Sequence, residues 1–393
     1  MTLPFDTNQL RKERNMKNKF FSIIMLLALI GTAACATTPA TTTKAPEITP
    51  TEAPVVATTA APIMITDALG RTVTFEKSPE RIALAGKALF MTADAIYAFP
   101  EAGSRIVAMG STSQSNGDFV SMIDENAAAK ITLTGDNVGA EQIAASNPDC
   151  VILKSSLKDT LGDPLEQLGI PVVYVDFETP EQYARDFTNL GILFQNEARA
   201  NELNQYYQLK IKAITGVTST LTDKQKPKVL VVYYKNKDNT VSFNVPPVSW
   251  IQTTLVADAG GTPVWKDMEL GNSWTSVTME QIAAWNPEYI FIISYFSPVG
   301  DVVTGLKADP QWSELQAVKD RKIYGFAGDV FSWDQADPRW ILGLTWMTTK
   351  IHPDLFSSVD ITSEAAEFYK TLYGMDNATF TSKIVPLFSG DLP

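Results

Sequence analysis

The sequence predicts an α/β protein of two similar lobes joined by a long helix, on three observations. A nine-residue unit occurs twice, EQIAASNPD at 141–149 and EQIAAWNPE at 280–288, with seven positions identical across an offset of 139. Each copy runs into a short apolar stretch, Cys150–Leu153 or Tyr289–Ile293, so one helix–strand unit stands in each half. The other apolar runs are brief, branched and without alternation, as strands covered on both faces are.

Composition narrows the function classes. The 393 residues carry a formal charge of −12, and the folded part has no basic run, which argues against nucleic acid as a partner. Two cysteines rule out a disulfide scaffold, Cys₄ zinc and most iron–sulfur sites. The single histidine, His352, precedes a proline and rules out a multi-His metal centre. GxGxxG, GxxxxGK[ST] and GxSxG are missing, so dinucleotide, P-loop and hydrolase chemistry lack their marks. At 45% hydrophobic and 19% charged, the chain has ample material for a core.

In chain order, residues 1–35 read as an address. Lys17 and Lys19 precede an eleven-residue apolar run, Phe20–Ile30, followed by Gly31-Thr32-Ala33-Ala34-Cys35. The run is too short to span a bilayer comfortably and is flanked like a secretory signal. Met16 is the expected true start. Cys35 is the expected lipid acceptor, although Thr32 stands where such sites usually have Leu; an ordinary or uncleaved signal is the alternative. Residues 36–62 hold 21 Thr, Ala or Pro among 27, cannot bury a core, and read as a tether.

The N-terminal lobe is expected at 63–178. Met64–Thr66 and Thr72–Phe75 flank Asp67-Ala68-Leu69-Gly70 as a hairpin. Strands are expected at Ile82–Ala85, Ile106–Met109, Val151–Leu153 and Val172–Val175, with Ala88–Tyr97 helical. In each repeat copy the helix carries Ile and Ala inward and Asn-Pro stops it. Residues 179–221 form a helical strut that breaks near Gln195-Asn196, where Asn196 caps a second helix from Glu197 to about Thr220. The C-terminal lobe, 222–393, carries strands at Val229–Tyr233, Tyr289–Ile293 and Ile323–Phe326.

Three segments together resemble the solute-binding lipoproteins of ABC importers: MITDALGRTVTFEKSPERIAL, the paired EQIAA-x-NP units, and VFSWDQADPRWILGLTWMTTKIHPDLF, all behind a lipoprotein-like start. The branch resembled captures ferric siderophores, haem and cobalamin, with molybdate- and tungstate-binding relatives, and the likeness spans about residues 63–373. It implies two Rossmann-like lobes joined by one backbone helix, with the ligand in the cleft between them. It also implies a monomeric receptor without enzymatic activity or cofactor, anchored outside the cell membrane, whose partner is an ABC permease dimer. An iron chelate leads as ligand, a corrinoid is second, and an oxyanion such as molybdate is third. The rivals of other classes are a metal-cluster α/β enzyme on a similar scaffold, for which Cys150 alone is insufficient, and a surface adhesin.

Ligands of open α/β lobes bind beyond the carboxyl ends of strands, which directs attention to the loops there. Lys87, in Gly86-Lys87-Ala88 ahead of a helix, is either an anion site or a solvated lysine. Gly110, Ser111 and Thr112 follow the next strand and suit hydrogen bonding, although such clusters are also plain turns. Tyr295 and Phe296 follow a strand of the second lobe, and Trp274 and Trp333 complete the aromatic candidates; Trp340 and Trp346 are expected in the core. Asp337 as N-cap and Pro338 at N1 place Arg339 in a first helical turn, where a cation opposes the helix dipole. Either an anionic ligand or Asp334 or Asp337 must compensate it, and the resemblance favours the ligand. No protein side chain is expected to bind a metal directly. Carried over from the resembled family, Glu141 and Glu280 are the permease-docking pair, one per lobe.

Overall fold

A computed structural model describes residues 61–111, 114–115, 117–134 and 138–392. The signal region with Cys35, the tether up to residue 60, and Thr112 lie outside the described residues. The chain enters as the antiparallel hairpin β1 (Ile63–Thr66) and β2 (Thr72–Phe75), with Thr66 opposite Thr72. Asp67 closes its turn by accepting from the amides of Leu69 and Arg71 at 3.0 and 3.1 Å, and Gly70 supplies the positive φ of +73°.

The first lobe is a parallel sheet of β3 (Ile82–Leu84), β4 (Ile106–Gly110), β5 (Ile131–Leu133), β6 (Cys150–Lys154) and β7 (Val172–Val175), in the order β5-β4-β3-β6-β7. The order reverses between β3 and β6, so a crevice opens beyond their carboxyl ends. Helix α1 (Phe90–Ile96) follows β3, and α2 (Ala140–Ala144) leads into β6.

Two helices connect the lobes. Helix α3 (Pro180–Phe194) ends at Gln195, whose φ of +56° turns the chain. Asn196 then caps α4 (Glu197–Thr218), its side chain accepting from Arg199 N at 3.1 Å. The 22 residues of α4 make a rod of about 33 Å at 1.5 Å per residue. Gly191 lets the two helices pack closely, since a Cβ there would stand 2.5 Å from that of Ala200.

The second sheet contains β8 (Lys228–Lys237), β9 (Thr240–Val245), β10 (Thr262–Pro263), β11 (Thr275–Val277), β12 (Tyr289–Ile293) and β13 (Ile323–Gly325), in the order β11-β9-β8-β12-β13 with β10 beside β8. Strands β8, β12 and β13 are parallel, while β9 doubles back from β8. Its helices include α5 (Ile251–Asp258), α6 (Met279–Trp285), α7 (Trp340–Ile351) and α8 (Ile361–Tyr373).

The repeat is a strand-entry device used twice. Ile143 and Ile282 are wholly buried, and the chain leaves each helix through an asparagine at positive φ, Asn147 or Asn286. The acid that ends each copy then holds the neighbouring strand's start. Asp149 accepts from the amides of Glu80 and Arg81 at 2.9 Å each, and Glu288 accepts from Lys228 N at 2.9 Å.

The lobes touch beyond the strut. Tyr369 and Tyr373 of α8 set their rings edge-on to Phe119 at 5.9 and 4.8 Å. Arg199 in α4 donates to Ala98 O on one side and to Thr371 O and Leu372 O on the other. Among the described residues, no helix is long and apolar enough to cross a membrane.

Candidate functional site

The crevices of both sheets open on one chamber. On the first lobe, the turn after β3 brings Ala88 and the first turn of α1 brings Met91, while β6 ends at Lys154. Lys154 pairs with Glu178 and lies 3.7 Å from Met91 Sδ. On the second lobe, Tyr233 of β8 and Tyr295 after β12 pack with their rings tilted at 40° and 4.8 Å between centroids. A cavity of ≈190 Å³ lies between, lined by Ala88, Met91 and Glu178 on one side and Trp250, Gln252, Trp274, Tyr295 and Gln335 on the other. Trp274 packs on Tyr233 at 5.2 Å and edge-on to Trp250 at 5.6 Å, which gives the chamber an aromatic wall.

A buried carboxylate sets the polarity of that wall. Asp334 accepts from Tyr295 Oη at 2.7 Å, Gln252 Nε2 at 3.1 Å and Ser332 Oγ at 2.5 Å. Burial pushes its carboxyl up to about 6, with the three side-chain donors pulling the other way. Because the Gln252 amide nitrogen faces Asp334, its Oε1 is turned away and has no partner among the described residues. Gln335 Nε2 is likewise buried and unpartnered. A lone buried acceptor and a lone buried donor each cost about 1–3 kcal/mol; both atoms are closed to solvent, so a guest that offers one of each pairs with them only once neighbouring side chains shift.

A second chamber of ≈350 Å³ is lined by Asp94 of α1, while Met91 of the same helix lines the first. Gly110 and Ser111 line this second chamber together with Phe331, whose ring stacks on Phe90 at 4.3 Å. Its one lysine, Lys130, is spent on Gly103 O, Ile106 O and Asp124.

The candidates from sequence therefore divide. Trp274 and Tyr295 line the first chamber; Phe296 is 71% exposed and Lys87 is exposed in the turn beside it, without an ion pair among the described residues. Trp333 is a correction: it is wholly buried in the second lobe, with its ring 6.0 Å from Phe388 and its carbonyl against Gly343 of α7. Arg339 is a second correction. It stands at the N-cap of α7, not in its first turn, and is fully buried. Its guanidinium lies over the rings of Phe119 and Phe331 and pairs with Asp94 at 2.7 Å, Asp337 at 2.9 Å and Asp329 at 3.0 Å. Protein carboxylates, not a ligand, compensate its charge; Asp337 is among them and Asp334 is not. The Asp94 pair joins the first lobe to the second.

Trp250, Gln252, Gln335, Lys154 and Glu178 were not singled out from sequence. Lys154 had a signal, a charge closing an apolar strand at a carboxyl end. Trp250 and Gln252 had none, because only packing brings the start of α5 to the chamber. Glu141 and Glu280 are exposed in the first turns of α2 and α6, and the Glu280 carboxyl is held low by its own amide and Thr278. Cys150 is wholly buried in β6, where burial pushes its thiol up.

The sequence profile described as periplasmic binding protein matches residues 107–329, and the chain belongs to that family of solute-binding transport proteins. It is 24% identical over 272 residues to the molybdate-binding protein MolA of Haemophilus influenzae, covering 63% of this chain and 75% of that one. An uncharacterized lipoprotein of Methanocaldococcus jannaschii is 20% identical over 246 residues, 61% of each chain. The high-affinity heme uptake system protein IsdE of Staphylococcus aureus is 24% identical over 189 residues, 47% of this chain and 61% of that one. Among solved structures, a periplasmic solute binding protein of Veillonella parvula superposes with a TM-score of 0.65 at 24% identity, covering 83% of this chain and 98% of that one. The molybdate-bound MolA structure gives 0.63 at 18%, covering 80% and 98%. These likenesses establish the fold: two α/β lobes joined by a long helix, as the sequence predicted.

Proposed function

We propose that this protein captures a compact metal chelate, an iron chelate first among them, and delivers it to an ABC permease. The observation that carries the reading is an aromatic chamber shared by both lobes, with Gln252 and Gln335 in its lining and Oε1 of the first and Nε2 of the second buried and without a partner among the described residues. A chelate with amide or hydroxyl groups supplies both a donor and an acceptor and lays flat groups on Trp250 and Trp274. A bare oxyanion supplies acceptors only and leaves Gln252 Oε1 unpaired. At ≈190 Å³ the cavity falls below the range of about 300–1,000 Å³ usual for drug-sized ligands, which favours a compact chelate over a corrinoid or haem. The second reading, molybdate or tungstate, draws on the name of the relative MolA and on Lys87 beside the chamber. In this proposal Cys35 carries the lipid anchor, residues 36–62 are the tether, and Glu141 and Glu280 dock a monomeric receptor on the permease. A thermal-shift panel of ferric chelates, haem, cobalamin, molybdate and tungstate tests it, since a ligand of the native state raises apparent stability. The largest rise is expected with a ferric chelate; a rise with the oxyanions alone would overturn the reading.

A further inference from the structure

The β8–β9 hairpin runs on past the sheet. Pairing of β8 with β12 stops at Tyr233 opposite Ile293, yet β8 continues to Lys237 with only β9 beside it. Pairing of β9 with β11 stops at Phe243. Residues 234–242 therefore form a two-stranded arm that extends about 13 Å beyond the sheet, at roughly 3.4 Å per residue. Its turn, Asp238-Asn239, has φ of +52° and +63°, the primed geometry that suits a twisted two-stranded ribbon.

Strand alternation fixes what the arm presents. Tyr233, Lys235 and Lys237 share one face. Tyr233 packs against Trp274 and Tyr295, which line the chamber, so this is the cleft face. The other face is structural: Tyr234 meets Phe243, and Phe243 meets Trp312 at 4.8 Å. Opposite the lysines, β9 places Ser242 and Thr240, both neutral. Lys235 and Lys237 are exposed and form no ion pair among the described residues, in a chain of formal charge −12.

We propose that Lys235 and Lys237 make the arm a cationic wall of the ligand site, and that the captured solute is an anionic metal species. The inference rests on the receptor reading above and adds the charge of its ligand. A carboxylate-bearing chelate and a metal oxyanion share that chemistry, and the probes separate them. Calorimetry with ferric citrate, which is anionic, and ferric tris(acetohydroxamate), a compact uncharged chelate, compares wild type with a Lys235→Gln, Lys237→Gln double variant. The double variant is expected to bind ferric citrate at least about ten-fold more weakly, with a flatter salt dependence, and the trishydroxamate within two-fold of wild type. Lys235→Arg with Lys237→Arg should restore ferric citrate binding, and the unfolding midpoint should not move, because both side chains are exposed. Equal weakening for both probes, or none for either, overturns the assignment. Unchanged ligand affinity with lost binding to permease-containing vesicles also overturns it and gives the arm to docking. If wild type binds neither ferric probe, the iron-chelate reading fails, and molybdate against uncharged cyanocobalamin decides the arm by the same criterion. Binding of none of the four defeats both proposals.

Discussion

Replacing Arg339 with methionine is expected to cost stability rather than ligand affinity. The guanidinium is the one cation among three buried carboxylates, Asp94, Asp329 and Asp337. With all four ionised the cluster carries −2; without the arginine it carries −3 and no cation. Removing one partner from a buried pair costs about 3–5 kcal/mol, a large share of the roughly 5–15 kcal/mol that holds a typical domain folded. Asp94→Asn acts in the opposite direction on charge, since it leaves −1 and keeps an acceptor oxygen facing Arg339. It is expected to stay within about 1 kcal/mol of wild type although it removes the ion pair between lobes. Urea denaturation followed by tryptophan fluorescence measures both. An Arg339→Met midpoint equal to wild type, or an Asp94→Asn loss as large as that of Arg339→Met, would refute the charge-balance argument. The same cluster sets a pH dependence. Burial raises the Asp94 carboxyl to about 6 and that of Asp337 to about 7, from an ordinary value of 3.8. Between about pH 4 and 7 the folded protein therefore holds more protons than the unfolded chain, and stability falls as pH rises through that window. Asp334, raised to about 6, adds in the same direction. The unfolding midpoint should be higher at pH 5 than at pH 8, and the slope shallower in Asp94→Asn.

Gln335→Met should stabilise the ligand-free protein by about 1 kcal/mol, because it removes a buried donor without a partner, and should weaken ligand binding by about 0.5–1.5 kcal/mol; urea melts and calorimetry read the two effects, and unchanged affinity would place the ligand elsewhere. Cys35→Ser should release the protein from membranes or block its maturation, and retained lipid labelling of that variant would defeat the anchor. Glu141→Ala and Glu280→Ala should leave solute affinity unchanged while lowering salt-sensitive binding to the permease, more so together than singly; loss of solute affinity with intact permease binding would move both glutamates to the pocket.

Much of the fold was legible because its signals are local. The repeat spells out a helix with Ile and Ala turned inward, an Asn-Pro that stops it, and an apolar strand that follows. Each is a property of a few consecutive residues, so reading them twice meant reading two lobes. The break at Gln195 and the cap at Asn196 belong to the same class. The arm at 234–242 was missed although Asp238-Asn239 is a turn signal, because the polar run Lys235–Asn239 masked the strand on either side of it.

The site was less legible, because a side chain's partners are set by how elements pack. Trp274 and Trp333 looked alike in sequence; one lines the chamber and the other is buried behind α7. The sequence placed Arg339 at the start of a helix and required something to balance it. It could not show that a main part of the balance comes from Asp94, 245 residues earlier and on the other lobe. Gln252 gives no local hint of its role, since its unpaired oxygen exists only because Asp334, 82 residues on, holds its nitrogen. The sequence by itself determined the lobes, the strut and the strand ends, through turn chemistry and hydrophobic period. Only the tertiary structure decided which charges cancel and which polar atoms are left for a ligand, because desolvation and pairing depend on neighbours that no local stretch of chain contains.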